Sequence, residues 1–177
     1  LDFINVAKQY LRIQDFSGLL ARMIVLPKSH GQLGGKAAGL FLAANVLRRL
    51  GEQREQLAEV KTPKSWYIPS DGIMAFINYN DLEDLHNQKY LDIEQVRQEY
   101  HHIIQVFKNS YFPPEMVRGL AAALDDLGER PLIVRSSSLL EDRSGAVFSG
   151  KYKSLFLANQ GDRESRLAAL MDAVAEV

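Results

Sequence analysis

Apolar residues recur along most of the chain with a period close to that of an α-helix. The pattern predicts helices over two short stretches within residues 1–24 and then over Lys36 to Gly51, Asp71 to Ile77, Asp92 to Tyr111, Pro114 to Leu127 and Arg163 to Val177. Asp15 is the expected N-cap of the second short helix. Ser70 or Asp71 is the expected N-cap of the helix that ends at Ile77. Asp92 with Gln95 three positions on has the sequence of a capping box. The chain is therefore predicted to be largely helical.

Three short runs have the length and composition of strands, namely 64–68, 132–135 and 153–158. The last two flank a polar segment rich in serine and glycine, which is typical of a strand, an ordered loop and a second strand. We expect a small, mostly antiparallel sheet that includes all three runs and packs against the helices. The predicted fold class is therefore α+β.

Composition narrows the class of partner. The 177 residues carry a formal net charge of −1, and the lysines and arginines are scattered, so neither nucleic acid nor a membrane is an expected partner. There is no cysteine, which excludes disulfides and thiolate chemistry and suits a cytoplasmic protein. No apolar run approaches the roughly 20 residues of a membrane span. Because the chain opens on Leu1 and a helical pattern runs to Val177, we expect a fragment of a longer protein.

The first candidate site is Gly34-Gly35-Lys36, at the start of a predicted helix. Exposed N–H groups and a flexible ammonium at that end can bind an anion. The alternative is that the glycines only shape the loop and that Lys36 is solvated. The segment is not a P-loop, because His30 occupies the position of the first glycine and Ala37 that of the hydroxyl that would bind Mg²⁺.

The second candidate site begins with Arg135, which directly follows an apolar strand. Its planar guanidinium suits phosphate, and Ser136, Ser137 and Ser138 supply hydroxyl and N–H groups beside it. The alternative is a hairpin whose serines only satisfy the backbone of a turn.

Three segments together resemble a known family. They are Leu33 to Leu40 with its Gly-Gly-Lys, Thr62 to Pro69, and the run from Arg135 that has Glu-Asp six residues on and then Phe-Ser-Gly. The sequences of these segments and their order resemble those of the nucleotide-binding domain that phosphoenolpyruvate synthase, pyruvate phosphate dikinase and rifampicin phosphotransferase share. The resemblance covers about Leu33 to Asn159 and implies the first lobe of an ATP-grasp-like domain, with 1–32 as a helical lead-in of unclear role and 33–177 as the lobe.

The resemblance implies roles for individual residues. The family's phosphate-binding lysine and arginine match Lys36 and Arg135, and its glycine and threonine, fifteen and nineteen positions after the arginine, match Gly150 and Ser154. The full implied nucleotide site is Gly34, Gly35, Lys36, Arg135, Ser136, Ser137, Gly150, Lys151 and Ser154. The family usually has glutamine at the position of Lys151 and an acidic residue at that of Lys153. These added cations could strengthen phosphate binding or mark a diverged branch.

In this family ATP phosphorylates a histidine on a separate mobile domain, which passes the phosphoryl group to pyruvate or another acceptor. The resemblance implies ATP as ligand, Mg²⁺ held by carboxylates downstream of this chain, and a second lobe, a phosphohistidine domain and a homodimer in the longer protein. By itself the chain is expected to be inactive. The alternatives are a non-catalytic nucleotide-binding or regulatory module of the same fold, and a helical interaction domain that binds no ligand.

Overall fold

A computed structural model describes residues 2–27, 29–52, 54–85, 91–137 and 153–177. In chain order the elements are α1 (Asp2–Tyr10), α2 (Ile13–Leu20), α3 (Gly35–Gly51), α4 (Glu55–Ala58), α5 (Gly72–Tyr79), α6 (Ile93–Lys108), α7 (Pro114–Leu127), β1 (Leu132–Arg135), β2 (Ser154–Leu157) and α8 (Arg163–Glu176). Helices and one small antiparallel sheet make the fold α+β, as the sequence predicted. The described residues group into two compact units.

The first unit contains the described residues of Leu1–Ile24, Gln32–Pro69 and Ser137–Ser149. Helix α3 is its centre and contacts both α1 and α4. Phe16 of α2 packs against Phe41 of α3, with the ring centroids 5.4 Å apart. Leu42 and Asn45 lie on the buried side of α3, and the Asn45 side chain donates to the carbonyl of Phe41 at 2.9 Å. Helix α3 is therefore held in the first unit by the packing of Phe41 and the burial of Leu42 and Asn45.

Asp15 is not the N-cap of α2, contrary to the sequence-based prediction. The helix begins about one turn earlier, at Ile13. Ile13 is 91% exposed, so it does not belong to the apolar face from which the start of the helix was predicted. Asp15 is the third helical residue, and its carboxylate accepts from the backbone N–H of Arg12 at 2.7 Å. It also pairs with Arg48 at 2.5 Å and Arg49 at 2.8 Å. These bonds, first the one from Arg12, lower the pKa of Asp15 although burial opposes them.

The predicted strand at 64–68 is wrong, because only Tyr67 pairs, in an isolated parallel bridge with Met23. The N–H of Tyr67 donates to Arg22 and the N–H of Ile24 donates to Tyr67, both at 2.9 Å. The next bond of a parallel ladder would need an N–H from Pro69, which has none. Among the described residues the only sheet is the pair of β1 and β2.

The second unit contains the described residues of Val25–Gly31, Ser70–Ser136 and Gly150–Val177. Helix α8 contacts α6, α7 and both strands, so it is the centre of this unit. The apolar core comprises Leu26, Phe76, Ile77, Phe112, Met116, Leu120, Ala123, Leu124, Leu170 and Ala173. Capping follows the sequence closely: Asp92 forms a capping box with Gln95, and Gly128 ends α7 with a φ of 71°. A residue with a side chain is strained at that angle, which explains the glycine.

The sheet of the second unit is an antiparallel pair in which Leu132 lies opposite Leu157 and Arg135 opposite Ser154. After β2 the chain turns at Asn159, which is buried and has a φ of 56°. Its side-chain amide donates to the carbonyls of Gly128 and Arg130, each at 2.7 Å. This buried asparagine therefore ties the turn after β2 to the turn before β1.

Candidate functional site

Helix α3 begins at Gly35 with Gly34 as its N-cap, so Gly-Gly-Lys does lie at a helix N-terminus. A glycine N-cap has no side chain to accept from the first-turn N–H groups, and the first turn contains no acidic residue. Partial positive charge therefore accumulates at this end of the 17-residue helix. Lys36, which is half-buried in the first turn, adds a full positive charge at the same place.

Ser137 supplies the cap that Gly34 lacks. Its hydroxyl accepts from the backbone N–H of Ala37 at 3.2 Å, across 100 residues of sequence. Ala37 is the third helical residue, whose N–H is the one that an N-cap side chain normally binds. Ser137 and the Gly-Gly-Lys segment, which are distant in sequence, thus meet within the first unit.

The same contact explains why residue 34 is glycine. A Cβ on Gly34 would lie 2.5 Å from both the carbonyl carbon and the hydroxyl oxygen of Ser137, and nearer still to its carbonyl oxygen. Such distances are far below van der Waals contact, and most of the atoms involved are backbone. The close approach of two backbone segments therefore requires a residue without a side chain.

Arg135 and Ser154 are direct cross-strand partners, at the end of β1 and the start of β2. Both are exposed. Side chains of directly opposed residues in an antiparallel pair lie on the same face. The guanidinium and the hydroxyl that the sequence singled out, 19 positions apart, are therefore neighbours on the exposed face of the sheet.

Lys153 directly precedes β2. Its ammonium pairs with Glu176 of α8, and Glu176 also pairs with Lys108 at 2.9 Å. These bonds, the one to Lys153 first, lower the pKa of Glu176 despite burial. The lysine that departs from the family's usual acidic residue is thus part of a charge network with α8.

Asp71 has a role that the sequence did not reveal. It is the N-cap residue of α5, but its carboxylate does not cap that helix. It accepts from the backbone N–H groups of His30 and Gly31, each at 2.9 Å. Burial raises the pKa of Asp71, while the Ser29 hydroxyl and the N–H groups of His30 and Gly31 lower it, and the net shift is downward. The carboxylate therefore fixes the loop that precedes Gly-Gly-Lys in sequence.

We expect Asp71→Asn to lower the free energy of unfolding by about 1–2 kcal/mol at pH 7, since charge-assisted bonds to N–H groups become neutral ones. A lowered folded-state pKa stabilises above the ordinary aspartate pKa and ceases to do so as the pH falls through the lowered value. The difference between wild type and variant should therefore shrink below about pH 4. Urea denaturation at pH 7 and pH 3 measures it. The exposed control Asp84→Asn should change stability by less than about 0.5 kcal/mol, and an equal effect of both variants would contradict the assignment.

The family comparison is decisive on identity. The family model for the AMP/ATP-binding domain of pyruvate phosphate dikinase matches residues 30–177. The chain belongs to this family. It is thus an AMP/ATP-binding part of a dikinase-family protein, and the recognition based on three motifs is confirmed. The match also extends through α8, beyond Asn159 where the sequence motifs had ended.

Two further comparisons give no match. No curated protein and no solved structure matches the chain. Helices α1 and α2 precede the matched residues. The boundary between a lead-in at 1–32 and a lobe at 33–177 stays a prediction.

The predicted site residues of this dikinase-family domain fall into three groups. Gly34, Gly35, Lys36 and Ser137 belong to the first unit, and Arg135, Ser136 and Ser154 to the second. Gly150 and Lys151 lie outside the described residues. The hydroxyl of Ser136 is buried without a hydrogen-bond partner in the described part of the chain. Convergence of Lys36 and Arg135 on one nucleotide stays a prediction.

The described residues do not form a metal-binding site. Within 2–27, 29–52, 54–85, 91–137 and 153–177, no group of three or more histidine, aspartate or glutamate side chains could bind a metal ion. No helix in those same ranges is long and apolar enough to cross a bilayer.

Proposed function

We propose that this chain is the ATP-binding portion of a phosphotransferase in which ATP phosphorylates a histidine on a separate domain, on the way to pyruvate or a similar acceptor. The observation that carries the proposal is the contact of Ser137 with Gly34 and Ala37, which joins two motifs of a matched AMP/ATP-binding domain. The N-terminus of a helix beside a serine hydroxyl is suited to a phosphate group.

In the proposed site Lys36 and Arg135 bind phosphate oxygens of one ATP. Lys36 acts beside the positive end of α3, and Arg135 can donate two parallel hydrogen bonds from its fork. Ser154, opposite Arg135 on the sheet, adds a hydroxyl donor. Gly34, Gly35, Ser136, Ser137, Gly150 and Lys151 complete the proposed set. Such a set suits phosphoryl transfer, which depends chiefly on positioning and on neutralising charge.

We further propose that the rest of the catalytic machinery is supplied by other parts of a longer, cytoplasmic and dimeric protein. Those parts are a second lobe with carboxylates for Mg²⁺ and a domain with the phosphoryl-accepting histidine. Mg²⁺ would neutralise phosphate charge there. The residues of this chain would bind and orient the nucleotide.

It follows that the 177-residue chain alone should bind ATP without consuming it. We expect no AMP or ADP formation above the buffer rate when the purified chain is incubated with ATP and Mg²⁺, as followed by chromatography of the nucleotides. AMP formation that follows this polypeptide through successive purification steps would contradict the assignment of catalysis to other parts of the protein.

Calorimetric titration of the same chain with ATP and AMP tests the proposed function. We expect saturable, weak binding of ATP that weakens further with added salt, because charged contacts to phosphate dominate. Absence of any ATP binding at millimolar concentration would contradict it and would favour a helical interaction domain.

A non-catalytic module of the same fold is the second candidate. Lys151 and Lys153 were its only sequence hints. Lys153 gives this second candidate little support, because the Lys153 ammonium is paired with Glu176 of α8.

A further inference from the structure

The small sheet has two different faces. Leu132 and Val134 of β1 and Leu155 and Leu157 of β2 are half-buried, and α8 contacts both strands. The alternate residues are exposed, namely Ile133, Arg135, Ser154 and Phe156. Since side chains alternate along a strand, these four residues share the face opposite the four half-buried residues.

The exposed face is divided into a polar row and an apolar row. Arg135 lies opposite Ser154, and Ile133 lies opposite Phe156. The two rows are two residues apart along each strand, about 7 Å. Phe156 is 82% exposed and Ile133 45% exposed, which is unusual for an apolar cross-strand pair in the middle of two strands. The face therefore presents a donor pair for an anion next to a flat apolar surface.

A nucleotide matches both rows at once. Its phosphates are anionic, its base is a flat aromatic ring, and the ribose separates the base from the first phosphate by a distance comparable to the spacing of the rows. Every nucleic-acid base has a π-face, so any of the bases can stack on an exposed aromatic side chain. A β-branched neighbour such as Ile133 limits the rotamers of Phe156 and supports the ring from the side.

We propose that Phe156, supported by Ile133, is the stacking surface for the base of the bound nucleotide. The proposal rests on the proposed function, in that Arg135 and Ser154 bind phosphate. It assigns to β2 a second role, since the strand that provides the hydroxyl at its first residue provides the base platform at its third. The other possible occupant of this face is a protein segment, and the experiment below separates the two.

The test compares a ligand that has a base with one that lacks it. The 177-residue chain and its variants are titrated with ATP and with inorganic tripolyphosphate. Phe156→Ala should weaken ATP binding about tenfold, the size of a lost base-aromatic contact, and leave tripolyphosphate binding unchanged. Phe156→Tyr, which keeps the ring, should bind ATP within about twofold of wild type. Tyr111→Ala, at an aromatic side chain that is 79% exposed on the same unit, is the matched control and should leave both ligands unaffected.

Circular dichroism of each variant checks the fold, which should be retained because Phe156 is exposed. Wild-type ATP binding by Phe156→Ala would overturn the base platform and leave the proposed function standing. Equal loss of ATP and tripolyphosphate would also overturn it, because the residue would then act through the fold of the sheet. Failure of the wild-type chain to bind either ligand would instead overturn the proposed function.

Discussion

Replacing Gly34 with alanine should destabilise the chain by about 1–3 kcal/mol, the usual cost of forcing extra atoms into a packed contact, and should abolish detectable ATP binding. The new Cβ would lie 2.5 Å from the carbonyl carbon of Ser137, so one backbone segment must move away from the other. That movement breaks the bond from the Ala37 N–H to the Ser137 hydroxyl, which caps α3. The loss of fold and the loss of ligand therefore have the same cause.

Gly39 offers a matched control on the same helix. A Cβ there meets nothing within 4 Å. Gly39→Ala should stabilise the chain by up to about 1 kcal/mol, because alanine favours a helix over glycine. Urea denaturation followed by circular dichroism measures both variants, and ATP titration follows. If Gly34→Ala unfolded at the wild-type urea concentration, the close contact with Ser137 would be refuted.

Lys36→Ala and Arg135→Ala should each weaken ATP binding by about 1.5–3 kcal/mol, the range for hydrogen bonds to charged groups. This corresponds to roughly 10- to 100-fold in the dissociation constant. Arg135→Lys should recover only part of the loss, because an ammonium lacks the bidentate fork. The double variant should show a coupling energy if both cations bind one phosphate chain.

Two exposed cations serve as controls for this pair. Lys8→Ala on α1 and Arg118→Ala on α7 remove the same charges elsewhere. Arg118 pairs only weakly with Glu115 at 3.2 Å, so its loss should cost little. If the controls weakened ATP binding as much as Lys36→Ala, net charge and not a site would explain the effect. Wild-type affinity in both site variants would contradict the phosphate assignment.

Local chemistry made part of this architecture predictable. The start of α3 at Gly-Gly-Lys, the capping box of α6, the end of α7 at Gly128 and the separate apolar runs of β1 and β2 each follow from residues within a few positions of each other. In each case a cap, a glycine or an apolar run acts on its own neighbourhood. The structure retains these locally determined helix ends and strands.

The misses have long-range causes. The cap of α3 comes from Ser137, 100 residues away, and no local pattern indicates it. Asp71 had the position of a helix cap, but the N–H groups of His30 and Gly31 compete for its carboxylate. The strand expected at 64–68 does not form because the bridge between Met23 and Tyr67 cannot be extended. The next hydrogen bond of that ladder would need a backbone N–H from Pro69, which has none. Sequence spacing alone does not specify which distant partner a polar group selects.

Nuclear magnetic resonance of the ¹⁵N-labelled chain during titration with ATP tests most directly whether the joined motifs are the nucleotide site. We predict saturable shifts of the backbone amide signals of Gly34, Gly35, Lys36 and Ala37 together with those of Arg135, Ser136 and Ser137, and none along α1. The signals of Ala37 and Ser137 should change together, because the Ala37 N–H donates to the Ser137 hydroxyl. Shifts confined to other segments, or signals that do not change at millimolar ATP, would contradict the assignment of the nucleotide site to Gly-Gly-Lys and the serine segment.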